Sequence, residues 1–219
     1  MKRISRLNPA VIFDVGANVG EYAELTRQAC PQGKIFSFEP VDSTFKELES
    51  NLLKKKIENI LAIKKGLYKE DKLITINIYP GHEHASIHNL KGVSYSAVGQ
   101  NTIEVVRGDN LLKEFALDSV DLLKLDIEGA EMDALQGFEN TFRNKKVRAV
   151  QFEYGYINIT SKVLLSDYYD FFNSFGYIVG KIYPKRVEFR EYAFKHEDFI
   201  GPNFIAIHSS DLELKKILS

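Results

Sequence analysis

Four acidic residues lie at the carboxyl ends of short apolar segments that read as buried strands: Asp14, Glu39, Asp126 and Glu153. A carboxylate in such a position can bind the hydroxyls of a ribose, attract a cationic ligand or accept a proton during a reaction. In a parallel sheet the carboxyl ends of the strands lie at one edge, and ligands bind there at the switch in strand order. Any one of the four alone would also suit a helix cap or an exposed acid, but their shared placement predicts an acidic ligand site.

The segment FDVGANVG directly follows the first apolar run and is typical of a ligand-binding turn, because glycine permits positive φ or a close approach of the backbone. A dinucleotide fingerprint requires G-x-G-x-x-G, but here Asn18 replaces the middle glycine and Gly16 and Gly20 are one residue closer together. Asp14 would repel a pyrophosphate, whereas it suits a ligand with positive charge and no phosphate. S-adenosylmethionine (SAM) meets both conditions through its ammonium and sulfonium groups. The candidate SAM contacts in this loop are Asp14, Gly16, Ala17, Asn18 and Gly20.

Glu39 ends the second strand, in IFSFEP, where a carboxylate can accept hydrogen bonds from both hydroxyls of a ribose. NAD would use the same acid, so Glu39 indicates a ribose without identifying the cofactor. Further along, AIKKGLYKED would bring Gly66 and Leu67 past an adenine ring, although a simple strand followed by a turn explains that segment equally well. The candidate nucleoside contacts are Glu39, Pro40, Gly66 and Leu67.

The elements that must position these residues alternate between strand and helix. The pattern predicts strands at 10–15, 34–39, ILAIKKG, DLLKLDIEG, VRAVQFEYG, YIVGKIY and NFIAIHS, and helices at 21–30, PVDSTFKELESNLLKKK, 130–138 and SKVLLSDYYDFFNSFG. KLITINIY and NTIEVVRGD alternate like the arms of a β-hairpin on either side of a long loop. Alternation of this kind indicates an α/β fold of parallel βαβ units in three layers, with the hairpin inserted before the fourth strand.

The chain resembles FkbM-type SAM-dependent methyltransferases over about residues 10–182, in the segments FDVGANVGEYA, FSFEP, HASI, RGDNL, DLLKLDIEGAEMDALQG and VQFEYG. The glycine loop alone would indicate only the class I methyltransferase fold, whereas KLDIEGAE is specific to the family. The resemblance implies a three-layer, Rossmann-like class I methyltransferase sandwich, with a mostly parallel seven-stranded sheet whose last strand is antiparallel. It also implies SAM as methyl donor and, as acceptor, a hydroxyl on a sugar or a natural-product-type small molecule.

Methyl transfer is an in-line displacement, so catalysis requires alignment of the acceptor and removal of its proton. Lys124, Asp126 and Glu128 alternate, so their side chains share one direction if the strand continues. We assign Asp126 to the cofactor and to the catalytic set, facing the methyl centre or accepting the proton, with Glu128 in support. Lys124 is expected to pair with an acid, because an unpaired buried lysine is costly. Glu131 suits the first turn of a helix, where an acid stabilises the helix dipole.

Three histidines, His82, His84 and His88, form an H-x-H-x3-H pattern in the long loop. The spacing is not a structural zinc pattern and no cysteine accompanies it, so we assign no metal ligand. His84 lies in HASI, within the family resemblance, and is assigned to the catalytic set as a residue that lines the substrate or accepts a proton. A divalent metal at Glu128 and Glu131 is compatible with their chemistry, but no ligand spacing supports it.

Length and composition limit the remaining choices. The 219 residues suit one domain over 1–219, and 29 basic against 30 acidic residues leave a formal net charge of −1. This balance predicts neither nucleic acid nor a membrane surface as a partner, which leaves a small-molecule acceptor. The single cysteine, Cys30, cannot form an intramolecular disulfide, and no window approaches the roughly 18 apolar residues of a membrane span. We therefore expect a cytoplasmic protein without membrane insertion; nothing in the pattern predicts its oligomeric state.

Two other functions stay open at this point. An NAD(P)-dependent oxidoreductase would use a similar sheet and the same Glu39, but the glycine spacing differs and no convincing Tyr-x-x-x-Lys pair is present. A methyltransferase-fold binding module without turnover would retain the cofactor loop. The complete set of acids at the strand ends favours an active enzyme over that second alternative.

Overall fold

The computed structural model describes residues 6, 8–55, 58–80, 85–90, 96–201 and 203–219, which form two sheets and the helices around them. The strands are β1 (Val11–Val15), β2 (Lys34–Phe38), β3 (Ile60–Ile63), β4 (Gly66–Leu67), β5 (Lys72–Ile78), β6 (Ala85–Ser86), β7 (Gly99–Val106), β8 (Val120–Leu125), β9 (Val147–Glu153), β10 (Tyr177–Ile182), β11 (Val187–Phe189) and β12 (Asn203–His208). The helices are α1 (Glu21–Ala29), α2 (Asp42–Lys54), α3 (Gly108–Glu114), α4 (Glu131–Gln136), α5 (Glu139–Arg143), α6 (Ile157–Ser161), α7 (Leu165–Ser174) and α8 (Leu212–Leu218).

The main sheet has the strand order β11-β10-β12-β9-β8-β1-β2-β3. Strands β3, β2, β1, β8 and β9 are parallel, and β12 is antiparallel to both of its neighbours, β9 and β10. The chain order reverses at β1, which pairs with β2 on one side and with β8 on the other. The described residues thus build eight strands in this sheet instead of the expected seven, because β11 adds antiparallel to β10.

Strands β1, β2 and β8 are buried on both faces, as expected for near-continuous apolar runs in a parallel sheet. Successive residues point to opposite faces, so Phe13 and Ile12 belong to different clusters. The Phe13 side packs against residues of α3, α4, α5 and α7, and the Ile12 side packs against residues of α1 and α8. Burial on both faces gives the predicted three layers and fixes the strand ends that carry the acids.

The second sheet has the order β4-β7-β5-β6 and is inserted between β3 and β8 along the chain. Strands β5 and β7 are the predicted hairpin arms and pair antiparallel from Lys72↔Val105 to Ile78↔Gly99. Their alternating aliphatic residues Ile76, Ile103 and Val105 form a small core of their own. The strand β6 lies within the segment predicted as a loop, of which residues 81–84 and 91–95 are outside the described part.

Several helices differ from the sequence-based prediction. The segment SKVLLSDYYDFFNSFG was predicted as one helix, but α6 ends at Ser161, Lys162 has φ +61°, and α7 begins at Leu165. Gly176 follows α7 with φ +80°, as its predicted role as a stop requires. The short helices α3, α5, α6 and α8 were not predicted. Among the described residues, every helix falls short of the length and hydropathy that a membrane span requires.

Candidate active site

A cavity of about 400 Å³ opens at the carboxyl ends of β1, β2, β8 and β9, and the second sheet supplies part of its wall. Its polar lining consists mainly of Asn18, Glu39, Asp126, Glu128 and Glu153. Its aliphatic wall, as we call it, consists of Val41, Ile74, Ile76, Ile87, Ile103 and Val105. Ligand pockets have this composition, with apolar walls and a few polar groups that fix orientation. No Lys, Arg or His is among the described residues that line it.

The loop between β1 and α1 is tied to both neighbouring strands. Gly16 has φ +77°, and a Cβ atom there would lie 1.9 Å from the carbonyl oxygen of Asp126. The backbone N–H groups of Gly16 and Ala17 donate to the Phe38 carbonyl oxygen at 3.1 and 2.9 Å. Glycine is therefore required at position 16 by both conformation and space, which explains this part of FDVGANVG. Gly16 and Asn18 line the cavity, whereas Ala17 and Gly20 are not among its lining residues.

Glu39 is almost fully buried, and two backbone N–H groups orient its carboxylate. Oε2 accepts from Asn18 N–H at 3.1 Å, and Oε1 accepts from Val41 N–H at 2.9 Å. Burial raises the pKa of Glu39, and the two N–H donors oppose that shift. Each carboxylate oxygen has lone pairs beyond the one used here. Glu39 can therefore accept further hydrogen bonds from a diol in the cavity that it lines.

Asp14 lies beneath the glycine loop and not in the cavity lining. It is fully buried, and its Oδ1 is 3.1 Å from Lys124 Nζ. The same ammonium group donates to the Gly16 carbonyl oxygen at 2.9 Å and lies 3.6 Å from Asp126 Oδ2. Burial disfavours the charge of Lys124, but Asp14 and Asp126 outweigh it and raise the pKa of that ammonium group. Lys124 thus pairs with acids as predicted, whereas Asp14, a predicted SAM contact, is not among the residues that line the cavity.

Residues 126–129 do not continue β8, so the predicted alternation of Lys124, Asp126 and Glu128 along one strand is wrong. The strand ends at Leu125, and Glu128 and Gly129 have φ +53° and +97°. Asp126, with a half-exposed side chain, and Glu128 nevertheless both line the cavity. Both residues line the cavity because the chain turns after Leu125 and follows the rim of the cavity, instead of continuing in the direction of β8.

Glu131 shapes this turn from below. Its carboxylate is fully buried and accepts the backbone N–H groups of Ile127 at 2.8 Å and Gly129 at 3.1 Å. Burial raises the pKa of Glu131 to about 7, against the effect of the backbone donors. The sequence favoured a helix-dipole role for this acid, with a divalent metal at Glu128 and Glu131 as a compatible but unsupported alternative. Its contacts show that it holds the backbone of residues 127–129.

The second sheet holds the same turn from above. Ser86 Oγ donates to the Glu128 carbonyl oxygen at 2.7 Å, and His88 Nε2 lies 3.1 Å from the Gly129 carbonyl oxygen. Ser86 is the third residue of HASI, the segment in which His84 was assigned to the catalytic set. His84 and His82 lie outside the described residues, so the assignment of His84 stays a prediction. Within the described part of the chain, no group of three His, Cys, Asp or Glu residues is arranged to hold a metal ion.

Gly66, Leu67 and Pro40 line the cavity as expected, but the aliphatic wall was not foreseen. Its signal in the sequence is the alternation of KLITINIY and NTIEVV, which places Ile74, Ile76, Ile103 and Val105 on one face. Among the tyrosines that follow β9, Tyr156 lines the cavity. Tyr154, Tyr168, Tyr169 and Phe172 are buried in the core.

Comparison with known proteins identifies the family. A family model described as the methyltransferase FkbM domain matches residues 14–179. The chain belongs to the FkbM methyltransferase family. A crystal structure of methyltransferase FkbM from Methylobacillus flagellatus KT superposes with a TM-score of 0.57 at 17% identity, over 91% of this chain and 44% of that one. At this identity the likeness shows the fold, which is that of class I methyltransferases. Membership in this family does not favour the oxidoreductase or the inactive-module alternative.

Curated relatives in the family come from a fungus, an archaeon and a bacterium. Methyltransferase 1 of Beauveria bassiana is 30% identical over 145 residues, which cover 59% of this chain and 58% of that protein. Hexuronic acid methyltransferase AglP of Haloferax volcanii is 26% identical, with 66% and 56% covered. The 2-O-methyltransferase NoeI of Sinorhizobium fredii is 26% identical, with 66% and 63% covered. The chain thus spans about three fifths of the length of these relatives.

Proposed function

We propose that the chain transfers a methyl group from SAM to a hydroxyl of a small molecule of the sugar or natural-product type. The observation that carries the proposal is the orientation of Glu39, whose carboxylate lines the cavity beside a glycine loop that has no pyrophosphate fingerprint. Two relatives have names that support this acceptor class, a hexuronic acid methyltransferase and a 2-O-methyltransferase. Such names belong to those proteins and support the proposal by analogy.

The residues present fit SAM. Glu39 would accept the ribose hydroxyls, and the aliphatic wall with Leu67 and Tyr68 offers an apolar surface for an adenine ring. The buried Oδ1 of Asn18 has no hydrogen-bond partner within the described part of the chain, so it is available to a ligand donor. The cavity is lined by acidic residues and, among the described residues, by no basic one. Such a lining attracts the positively charged ammonium and sulfonium groups of SAM and would repel the phosphates of NAD.

When bound, SAM supplies an electrophilic methyl group on a positively charged sulfur. The contribution of the chain is to orient both partners and to take up the acceptor's proton. Asp126 is the proposed proton acceptor, because its half-exposed carboxylate lies at the end of β8 in the polar lining. Glu128 is proposed to hold the acceptor. The aliphatic wall is proposed to exclude water from the cofactor side of the cavity.

The test is calorimetric titration of SAM and, separately, of NAD into the wild type and three variants. We expect SAM to bind the wild type, to lose affinity about tenfold or more in Glu39→Ala, and to bind Asp126→Ala. Glu49→Ala is the matched control, since Glu49 is an exposed acid on α2 outside the cavity lining. Binding of NAD without SAM, or equal loss in the Glu39 and Glu49 variants, would contradict the proposal.

A further inference from the structure

Glu153 is a cavity-lining acid to which the proposed reaction assigns no role. It is the last residue of β9, and the parallel register pairs Leu125 with Phe152. Asp126, which directly follows β8, and Glu153, which ends β9, therefore lie next to this last paired position, and both line the cavity. Glu128 lines the same cavity, so these three carboxyl groups share it, and no Lys, Arg or His is among its described lining residues. Carboxyl groups that share a site disfavour one another's negative charge, so a proton on one of them is favoured.

The surrounding charges decide which of them carries it. Lys124 Nζ lies 3.6 Å from Asp126 Oδ2, so Asp126 has a positive charge beside it. The ionisable groups that act on Glu153 are Asp126, Glu128 of the turn, and Glu131 of α4. Tyr168 of α7 also interacts electrostatically with Glu153. A neutral tyrosine hydroxyl brings no positive charge to Glu153. We therefore assign the proton to Glu153.

Burial and these three carboxylates raise the pKa of Glu153 to about 8, so the group is protonated at neutral pH before any ligand enters. A positive charge brought into the same cavity has the opposite effect, because it favours the ionised form of a nearby acid. Loss of that positive charge restores the proton. The protonation of Glu153 is thus linked to the charge of whatever occupies the polar part of the cavity.

We propose, on the basis of the proposed function, that Glu153 is a second catalytic acid–base residue, which releases its proton when the cationic cofactor binds and so prepares the Asp126–Glu153 pair to receive the acceptor's proton. In the transfer, the acceptor O–H bond and the sulfur–methyl bond break and an oxygen–methyl bond forms. The sulfur keeps the electron pair of its broken bond, and the carboxyl pair takes up the proton. The neutral thioether product no longer favours ionisation of Glu153, so the pair retains that proton until the product leaves.

The experiment measures proton release on binding, without an acceptor. SAM and S-adenosylhomocysteine, which differ in the charge on sulfur, are each titrated at pH 7 into the protein in two buffers of different ionisation enthalpy. The difference in observed heat gives the number of protons released. Because both ligands carry the same amino and carboxyl groups, the difference between them isolates the effect of the sulfonium charge.

For the wild type we expect release of up to about one proton with SAM and markedly less with S-adenosylhomocysteine. In Glu153→Gln the difference between the ligands disappears while SAM still binds, and in Asp126→Asn it decreases because Glu153 is already more ionised. Glu49→Gln leaves the difference unchanged. Equal release for both ligands in the wild type, or an unchanged difference in a folded Glu153→Gln variant, overturns the inference. Failure of both ligands to bind overturns the proposed function itself, which is a distinguishable result.

Discussion

The Lys124 ammonium group lies 3.1 Å from Asp14 Oδ1, within a site where both side chains are almost completely inaccessible to solvent. It also donates to the Gly16 carbonyl oxygen, so the pair links β1, β8 and the glycine loop. A buried pair of this kind costs desolvation energy and is sensitive to the loss of one partner. The floor of the candidate cofactor site therefore depends on one cation.

We expect Lys124→Met to lower the free energy of unfolding by about 3–5 kcal/mol, since it leaves Asp14 as an uncompensated buried charge. The double variant Asp14→Asn/Lys124→Met should recover a large part of that loss. Lys46→Met is the control, because Lys46 pairs with Asp42 on the exposed face of α2 and should cost no more than about 1 kcal/mol. Urea denaturation measures all three. Equal costs for the two lysine variants would contradict a structural role of the buried pair.

Substitution of Gly16 tests the close approach of the loop to β8. We expect Gly16→Ala to lose at least about 1–3 kcal/mol of stability from strain at positive φ, and more from the clash with the Asp126 carbonyl oxygen. SAM affinity should decrease with it, because Asn18 and Asp126 move apart. Gly99→Ala is the matched control, since a Cβ there meets nothing within 4 Å. Thermal unfolding and SAM titration of both variants provide the measurement, and similar behaviour of the two would refute the clash.

The stability of the ligand-free protein should decrease as the pH rises from about 5 to 8. Glu153, whose pKa is raised from 4.5 to about 8, binds a proton in the folded state at pH values where the unfolded chain has lost it. Glu131, raised to about 7, acts in the same direction. Since the folded state binds more protons across this window, linkage makes stability fall with pH. Glu153→Gln should fall less steeply than the wild type in urea denaturation at pH 5, 7 and 9; parallel curves would count against the raised pKa.

The segment RGDNL belongs to the family resemblance, but the sequence assigned it no role. Its residue Asp109 has a structural role that can be tested. Its Oδ1 accepts from Thr141 Oγ1 at 2.6 Å and from Thr141 N–H at 3.0 Å, and its Oδ2 accepts from Asn140 Nδ2 at 2.9 Å. These hydrogen bonds lower the pKa of Asp109 despite burial, and they join α3 to the start of α5.

We expect Asp109→Asn to cost about 2 kcal/mol or more, because an amide nitrogen would replace one acceptor of several buried donors. SAM affinity should change little, since Asp109 does not line the cavity. Asp118→Asn, at an exposed acid in the turn before β8, is the control for charge loss. Chemical denaturation with parallel SAM titration separates the two effects. A loss of SAM binding without loss of stability would show that Asp109 acts on the site and not on the fold.

The strand ends of the site were predictable because they depend on local patterns. Buried apolar runs identify β1, β2, β8 and β9, and parallel topology then brings their carboxyl ends to one edge. That reasoning placed Glu39, Asp126 and Glu153 in one region, where the structure has them lining one cavity. It also predicted that Lys124 would pair with an acid, since burial of a lone ammonium group is costly.

What remained unpredictable depends on contacts distant in sequence and on backbone detail. Asp14 lies beneath the loop because it pairs with Lys124 on the neighbouring strand β8, and the sequence alone does not show that β1 and β8 are neighbours. The turn at Glu128 follows from hydrogen bonds to Ser86 and Glu131, one of which comes from a separate sheet. The aliphatic wall likewise requires the second sheet to pack over the first, and alternation along a strand does not reveal where that strand docks.

The position of β12 has a consequence for the newly made chain. This strand lies between β9 and β10, although both of them precede it in the sequence. Until residues 203–208 have left the ribosome, β9 and β10 each present an unpaired edge on the side that β12 later occupies. Exposed edges of that kind promote pairing with other nascent chains. Completion of the main sheet therefore waits for β12, and truncation before Asn203 would leave the β10–β11 pair detached from the strands that carry the site.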